Sequence, residues 1–317
     1  MMGFEKISEL PPNLQETILA FLPTKYAVRA SILSKKWRYC WTRVPRLIFD
    51  DLFNRLMSRL IKTRDPELSA HKFVTVINKV LLLHNGPILE FYLHFPEEFC
   101  DNQIIHEYID QWIPLFSRKG IKKLTLHESP GDEDFPAHTT HDYSSLDLTH
   151  LTLLNVRFQY TPALGRITYL TNLELVNATS NFGEGVFDCP VLEKLTLILC
   201  KGLHHTNFCA PNLKCLIQIS QEKTSEYSLA ALENLSEFSF MLLDYPITQT
   251  QTSNVVKFLD GVNNKLKRFS IAKFFVEVIF RFSLSCLLQL YITRQRLIVC
   301  ALSLNFSKVH GCRRFSV

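Results

Sequence analysis

Apolar positions follow two periods along this chain, and each predicts a different kind of element. From Leu10 to Pro45 they recur at helical spacing, interrupted by proline. Pro11-Pro12 opens a first helix, since the first helical position has no N–H partner to lose. Leu14, Ile18, Leu19 and Leu22 follow at helical intervals until Pro23 stops them. Thr24 is placed to cap a second short helix over Lys25–Ile32. Ser34 is placed to cap a third, with Trp37 and Trp41 at i, i+4 and Pro45 at its end. Helices this short are unstable alone. The segment holds more apolar and aromatic surface than so few residues can bury, which predicts a partner on its surplus face. Two further helices are predicted beyond it. Leu52, Leu56, Leu60 and Ile61 mark one, and Phe73, Ile77, Val80 and Leu81 within His71–His84 mark the other. Asn85-Gly86-Pro87 stops the second.

From residue 88 onward the pattern becomes apolar-x-x-apolar-x-apolar. It starts at Ile88, Ile121, Leu148, Leu170, Leu192, Leu213, Leu235 and Leu266. Four consecutive intervals of 21 or 22 residues fall in the leucine-rich-repeat range. The longer intervals hold a predicted helix, Asn102–Phe116, and a polar loop, Ser129–Ser145. The third apolar position is lost at Gln218, and the ladder position after each strand is rarely Asn: Cys200 fits, Val156 and Ala178 do not. The expected fold is therefore α+β, a three-helix module followed by an irregular α/β solenoid with one strand per repeat. Strand alternation puts the leucines inward and the residues between them on the concave face. His150, Glu174, Lys194, Ile198, Ile217, Ile219 and Met241 are the expected substrate-facing residues, the last four forming an apolar patch.

The N-terminal residues carry a resemblance. The run L-P-x-x-L-x-x-x-I-L-x-F-L-P-T-K-x-A-V-x-x-S-x-L-S-K-K-W-R-x-x-W, from Leu10 to Trp41, resembles the F-box as found in plant F-box/leucine-rich-repeat proteins of the FBD type. Pro12 and Cys40 depart from the usual residues without placing a charge in a contact face. The stretch LLLHNGPI at 81–88 is similar to the same family. The resemblance implies docking onto the Skp-type adaptor of a cullin ubiquitin ligase. By position it implies contacts from Leu10, Pro11, Ile18, Leu19, Leu22, Pro23, Leu33, Ser34, Trp37 and Trp41, some of which also hold the helices together. The expected organisation is an F-box at 5–50, a helical linker at 51–87, repeats at 88–275 and an atypical basic, apolar tail at 276–317 in place of an FBD region. That tail is expected to be an alternative or misassigned end.

Charge alters the picture only once it is placed. The chain has 35 Lys+Arg and 30 Asp+Glu, a formal +5. Residues 1–49 hold eight basic and three acidic residues, residues 50–272 hold 20 and 26, and residues 273–317 hold seven and one. The body is thus acidic between a basic head and a basic tail, so no nucleic-acid surface is expected. The basic head suits an acidic docking partner. The apolar run Phe274–Ile292 is interrupted by Glu277 and Arg281, so no membrane span is expected.

Candidate chemistry is sparse. Only 10 glycines occur and no phosphate-loop motif is present. Nine cysteines include no C-x-x-C pair, so reduced thiols are expected, with neither a zinc site nor a disulfide framework. His138-x-x-His141 near Asp132–Asp134 reads as a solvated loop, as does His204-His205 as an inter-repeat turn. No signature places a nucleophile beside a base, so neither catalysis nor a cofactor or metal is expected. No apolar leader precedes the F-box-like segment, so the expected compartment is cytoplasm or nucleus. The same observation, with the lack of paired-cysteine caps, weighs against an extracellular or receptor-like repeat protein. The implied function is the substrate-recognition subunit of a ubiquitin ligase, its repeats binding a protein whose identity the sequence does not carry.

Overall fold

The computed structural model describes residues 10–96, 99, 103–128, 141–158, 167–180, 186–201, 207–220, 234–242 and 266–271. It divides into two compact units, residues 1–154 and 155–317. The expected tail, His138, Asp132–Asp134 and His204-His205 lie outside the described residues.

The first unit opens with helix α1 (Pro12–Ala20), which starts on proline with no side-chain cap. Helix α2 (Thr24–Arg29) continues into a 3-10 turn at Ala30–Ile32. Thr24 is its first residue and does not cap it. Its hydroxyl instead accepts the amide of Ile48 at 2.6 Å, tying this helix to the next element. The expected third α-helix is absent. Trp37 and Cys40 donate to the carbonyls three residues back, and a 3-10 helix, Cys40–Arg43, completes the segment. Such tight turns are common where a connector is too short to propagate an α-helix. Leu19, Ala27, Trp37, Trp41 and Val44 close into one core cluster.

Strand β1 (Arg46–Phe49) follows at once and pairs in parallel with β2 (Glu90–His94), from Arg46↔Glu90 to Phe49↔Leu93. Between them run α3 (Asp51–Leu60) and α4 (Pro66–Leu83), capped by Asp50 and Asp65, whose carboxylates each accept two backbone amides. After β2 come α5 (Gln103–Lys119), β3 (Lys123–His127) and β4 (His150–Leu154), which extend the parallel ladder in chain order. Residues 46–49, expected to close the F-box, are therefore the first strand of the repeat sheet. The expected linker holds the two helices that connect β1 to β2. Edge-to-face and tilted aromatic contacts link Phe49, Phe53, Phe73 and Phe99, and Phe91 with Trp112 and Phe116, across strands and helices.

The second unit stacks β6 (Asn172–Val176), β9 (Lys194–Ile198), β11 (Cys215–Ser220), β12 (Glu237–Leu242) and β13 (Arg268–Ile271) as parallel neighbours. Two-stranded parallel pairs accompany them: β5 (Arg157–Phe158) with β7 (Thr179–Ser180), and β8 (Val186–Asp188) with β10 (Asn207–Cys209). Leu173, Leu175, Leu195, Leu197, Leu213 and Leu216 are buried, as the repeat pattern predicts. Gln218 occupies the next inward position, buried, and its Nε2 has no hydrogen-bond partner among the described residues. This is an F-box-like helical module followed by a leucine-rich-repeat solenoid, the α+β architecture expected.

The residue after the strand is where the repeats turn. Asn155, Asn177 and Leu199 all have positive φ, between 48° and 57°, and each sends its amide to the carbonyl of the next strand. The Asn177 side chain donates to Asn155 Oδ1 at 3.0 Å. The asparagine ladder thus stands one residue before the position expected from sequence, where Val156 and Ala178 are buried and Cys200 bonds the Leu175 carbonyl. Leu199 interrupts it in a conformation costly for a branched side chain. Leu199→Asn is expected to raise unfolding free energy by about 1 kcal/mol, after the lost leucine packing, seen as a higher urea midpoint at unchanged slope.

A second constraint sits at Gly86. Asn85 and Gly86 both donate to Thr42 O, and a β-carbon at Gly86 would stand 2.9 Å from Arg43 O. Gly86→Ala is expected to lower stability by about 1–3 kcal/mol, read from the same denaturation curve.

Candidate docking surfaces

Two surfaces emerge, one on each side of the strand β1 junction. On the helical module the apolar residues divide into two stripes. Gln15 and Leu19 of α1 are buried, Gln15 donating to Leu10 O at 2.8 Å and accepting from the Cys40 thiol at 3.1 Å. Leu14, Ile18 and Phe21, at i, i+4 and i+7, face outward, with Phe21 78% exposed. Ile32 is 81% exposed and Leu33 59%. Arg29, Lys35, Lys36 and Arg38 are exposed around them.

The ten residues expected to contact an adaptor therefore separate into two jobs. Leu19, Trp37 and Trp41 belong to the core cluster and are corrected from contact residues to core residues. The Trp37 Nε1 and Ser34 Oγ are buried without a partner, so Ser34 caps nothing. Leu22 packs partly against the same cluster. Ile18, Leu33 and Pro11 are exposed, and Leu10 and Pro23 are half-buried. The sequence reading missed Leu14, Phe21, Tyr26, Ile32 and Tyr39 as exposed apolar groups. The signal was present in α1, where Leu14, Ile18 and Phe21 share one face. The inward Gln15 was the piece that could not be anticipated, because its partners come from the chain on either side of the helix.

Side-chain hydrogen bonds join this module to the repeats within the first unit, beside the backbone bonds to Thr42 O and Pro45 O. Thr24 takes the Ile48 amide, as above. Lys25 Nζ donates to Leu52 O at 2.9 Å. Arg46 donates to Ala20 O at 3.1 Å while its Nε and Nη2 hold Glu90 at 2.8 and 3.4 Å. His84 Nε2 meets Val44 O at 2.8 Å, and burial lowers the His84 pKa, so the neutral ring donates this bond.

On the strands, the residues between the inward leucines form outward rows in strict register. His150 is half-buried, and burial followed by the nearby Lys123 ammonium lowers its pKa. Glu174 and Lys194 are exposed, and Ile198 and Ile217 are half-buried. Ile219 is buried, a correction to the expected open patch, while the Met241 side chain lies outside the described residues. Ile219 is flanked in register by Ile198, which keeps its side chain against a branched neighbour.

Polar clusters in the first unit have structural partners. His94 and His127 stack at 4.1 Å between ring centroids, with Asp51 bonded to His94 and the Tyr92 hydroxyl 3.4 Å from His127 Nδ1. Burial, followed by His94, pushes the His127 pKa down to about 4, so the stacked pair does not carry two charges at neutral pH. His141 is a correction to the solvated loop: it is buried, with Nδ1 2.6 Å from Asp110. Burial raises Cys40 and Cys215 and pushes Cys189 and Cys200 up to about 12, so these thiols stay protonated and are poor nucleophiles. Among the described residues no group of three or more His, Cys, Asp and Glu could hold a metal ion, and no helix is long and apolar enough to cross a membrane.

Similarity to known proteins follows the same division. The F-box domain model matches residues 7–49, and the At1g61320/AtMIF1 leucine-rich-repeat domain model matches residues 80–281. The F-box/FBD/LRR-repeat protein At1g13570 of Arabidopsis thaliana is 33% identical over 266 residues, 81% of this chain and 59% of its own length. F-box/FBD/LRR-repeat protein At2g04230 of the same plant is 35% identical over 125 residues, 39% of this chain and 26% of its own. F-box/LRR-repeat protein At3g26922, also from Arabidopsis thaliana, is 28% identical over 248 residues, 76% of this chain and 75% of its own. The chain belongs to the F-box/leucine-rich-repeat family. It spans less than two thirds of the length of the first two of these relatives.

The division of the helical module into core and surface is testable by stability alone. Trp37→Ala is expected to cost about 3–5 kcal/mol and to abolish the cooperative melt of the first unit. Ile32→Ala is expected to stay within about 0.5 kcal/mol of wild type in the same thermal scan.

Proposed function

We propose that this chain is the substrate-recognition subunit of an SCF-type ubiquitin ligase, the F-box docking a Skp-type adaptor and, through it, a cullin scaffold. The repeats bind the protein to be modified. The observation that supports this most is the outward apolar stripe of Leu14, Ile18, Phe21, Ile32 and Leu33 over a core that is already filled by other residues. Such residues lose nothing structurally when a partner covers them, and apolar groups of this size are what a stable interface buries. The exposed Arg29, Lys35, Lys36 and Arg38 around the stripe would steer an acidic adaptor. Ubiquitin transfer is then proximity catalysis by another subunit, with no acid, base or cofactor required of this chain. Residence in the cytoplasm or nucleus, where that machinery works, is part of the proposal.

A pull-down with purified Skp-type adaptor tests it. Wild type is expected to bind, and Ile32→Asp with Leu33→Asp to bind at least about tenfold more weakly with an unchanged melting temperature. Wild type that fails to bind, or a double variant that binds as well as wild type, would refute the adaptor assignment.

A further inference from the structure

Among the described residues, the first outward row of the first unit carries one charge without an opposite partner, that of Lys123. Along the first outward row, Arg46, Glu90, Lys123 and His150 stand in register on β1 to β4. Glu90 is taken by two Arg46 nitrogens. The other carboxylates near this face are also engaged. Asp50 caps α3, Asp51 holds His94, and Asp147 pairs with Lys122 at 3.8 Å. Lys123 is exposed and has no acidic partner among the described residues. In the next outward row, Thr125 and Thr152 lie opposite each other, half-buried, and neither hydroxyl has a hydrogen-bond partner among the described residues. Tyr92 borders them in register with Thr125.

We propose that Lys123, Thr125 and Thr152 form a subsite for an acidic segment of the protein substrate, one carboxylate seated between the ammonium and the two hydroxyls. This rests on the reading that the repeats bind a protein. Neighbouring strands stand about 4.8 Å apart, so one carboxylate can span β3 and β4 and take a hydroxyl donor from each. A single free cation suits a single negative charge. A phosphate dianion needs a second cation, and Arg46 in the same row is already committed to Glu90 and the Ala20 carbonyl, as Lys122 is to Asp147. The strand rows alternate outward and inward, so Lys123 can be replaced without touching the leucine core.

Selection of random twelve-residue peptides on the immobilised full chain tests this. Wild type is expected to enrich Asp and Glu. Lys123→Glu is expected to lose that enrichment and bind the selected acidic peptides at least about tenfold more weakly at moderate salt, while Lys123→Arg retains them. Wild-type selections without an acidic surplus, or selections that Lys123→Glu leaves unchanged, would overturn the subsite. Tighter binding of the same peptides with phosphoserine in place of Glu would overturn the carboxylate assignment. The Skp-type adaptor is expected to bind Lys123→Glu as it binds wild type. Loss of adaptor binding by wild type would count against the ligase reading alone, since the peptide selection does not depend on it.

Discussion

At each strand entry one carbonyl of the preceding repeat receives two successive amides. Pro45 O takes Leu89 and Glu90, Leu89 O takes Lys122 and Lys123, and Lys122 O takes Thr149 and His150. The second unit repeats the arrangement, with Thr171 O, Glu193 O, Lys214 O and Ser236 O each holding the two residues that open the next strand. A forked acceptor of this kind admits only one register. A slip by one residue would exchange the leucine row with the outward row and expose the core. Everything described above as a surface, charged rows and apolar rows alike, depends on that register being held. Asn212 and Asn234 reinforce it by donating to Pro190 O and Pro211 O one repeat back.

Because β1 enters the same ladder, the helical module is fastened to the repeats by backbone pairing as well as by side chains. The Pro45 carbonyl that ends the module is also the acceptor that starts β2. Around it Thr24, Lys25 and Arg46 close the remaining backbone donors and acceptors, and Gly86 lets the loop after α4 lie directly on the Thr42–Arg43 backbone. The consequence is a separation of duties. The face of α1 and α2 that meets the first repeat is consumed by folding, so the outward stripe is what remains for a partner.

How far the sequence was legible depended on whether a position answers to its own neighbours or to distant ones. The repeat strands were legible because Leu at a 21–22-residue interval is imposed by stacking, which every repeat feels equally. Helices α3 and α4 were legible from the helical spacing of Leu52, Leu56 and Leu60 and of Phe73, Ile77 and Leu81. The caps Asp50 and Asp65 were not, and α4 begins at Pro66, before the expected His71. The third F-box helix was not, because Trp37 and Trp41 at i, i+4 satisfy an α-helical pattern while 3-10 turns bury both. In α1 the pattern contained two apolar stripes, and only the contacts of Gln15 decide which one turns inward. His141 answered to Asp110, 31 residues away. Asn155 and Asn177 were overlooked because the expected ladder position was one residue later. Their 22-residue spacing was nevertheless readable, and positive φ at that site is what asparagine tolerates.

The inward and outward rows also differ in what they can tolerate. An inward position is bounded by leucines of both neighbouring strands and by the helices or loops behind them, so a polar group there is left unsatisfied. Gln218 shows the cost: its Nε2 is buried with nothing to donate to among the described residues, which removes about 1–3 kcal/mol that a leucine would have contributed. An exposed outward position such as Glu174 or Lys194 meets solvent as well as its neighbours along the row and escapes that cost. Within each unit, exposed outward residues can therefore change without disturbing the leucine core. The buried thiols and the neutral His127 contribute to packing on the other account: held in their uncharged forms, they can stand beside apolar neighbours without an opposing charge.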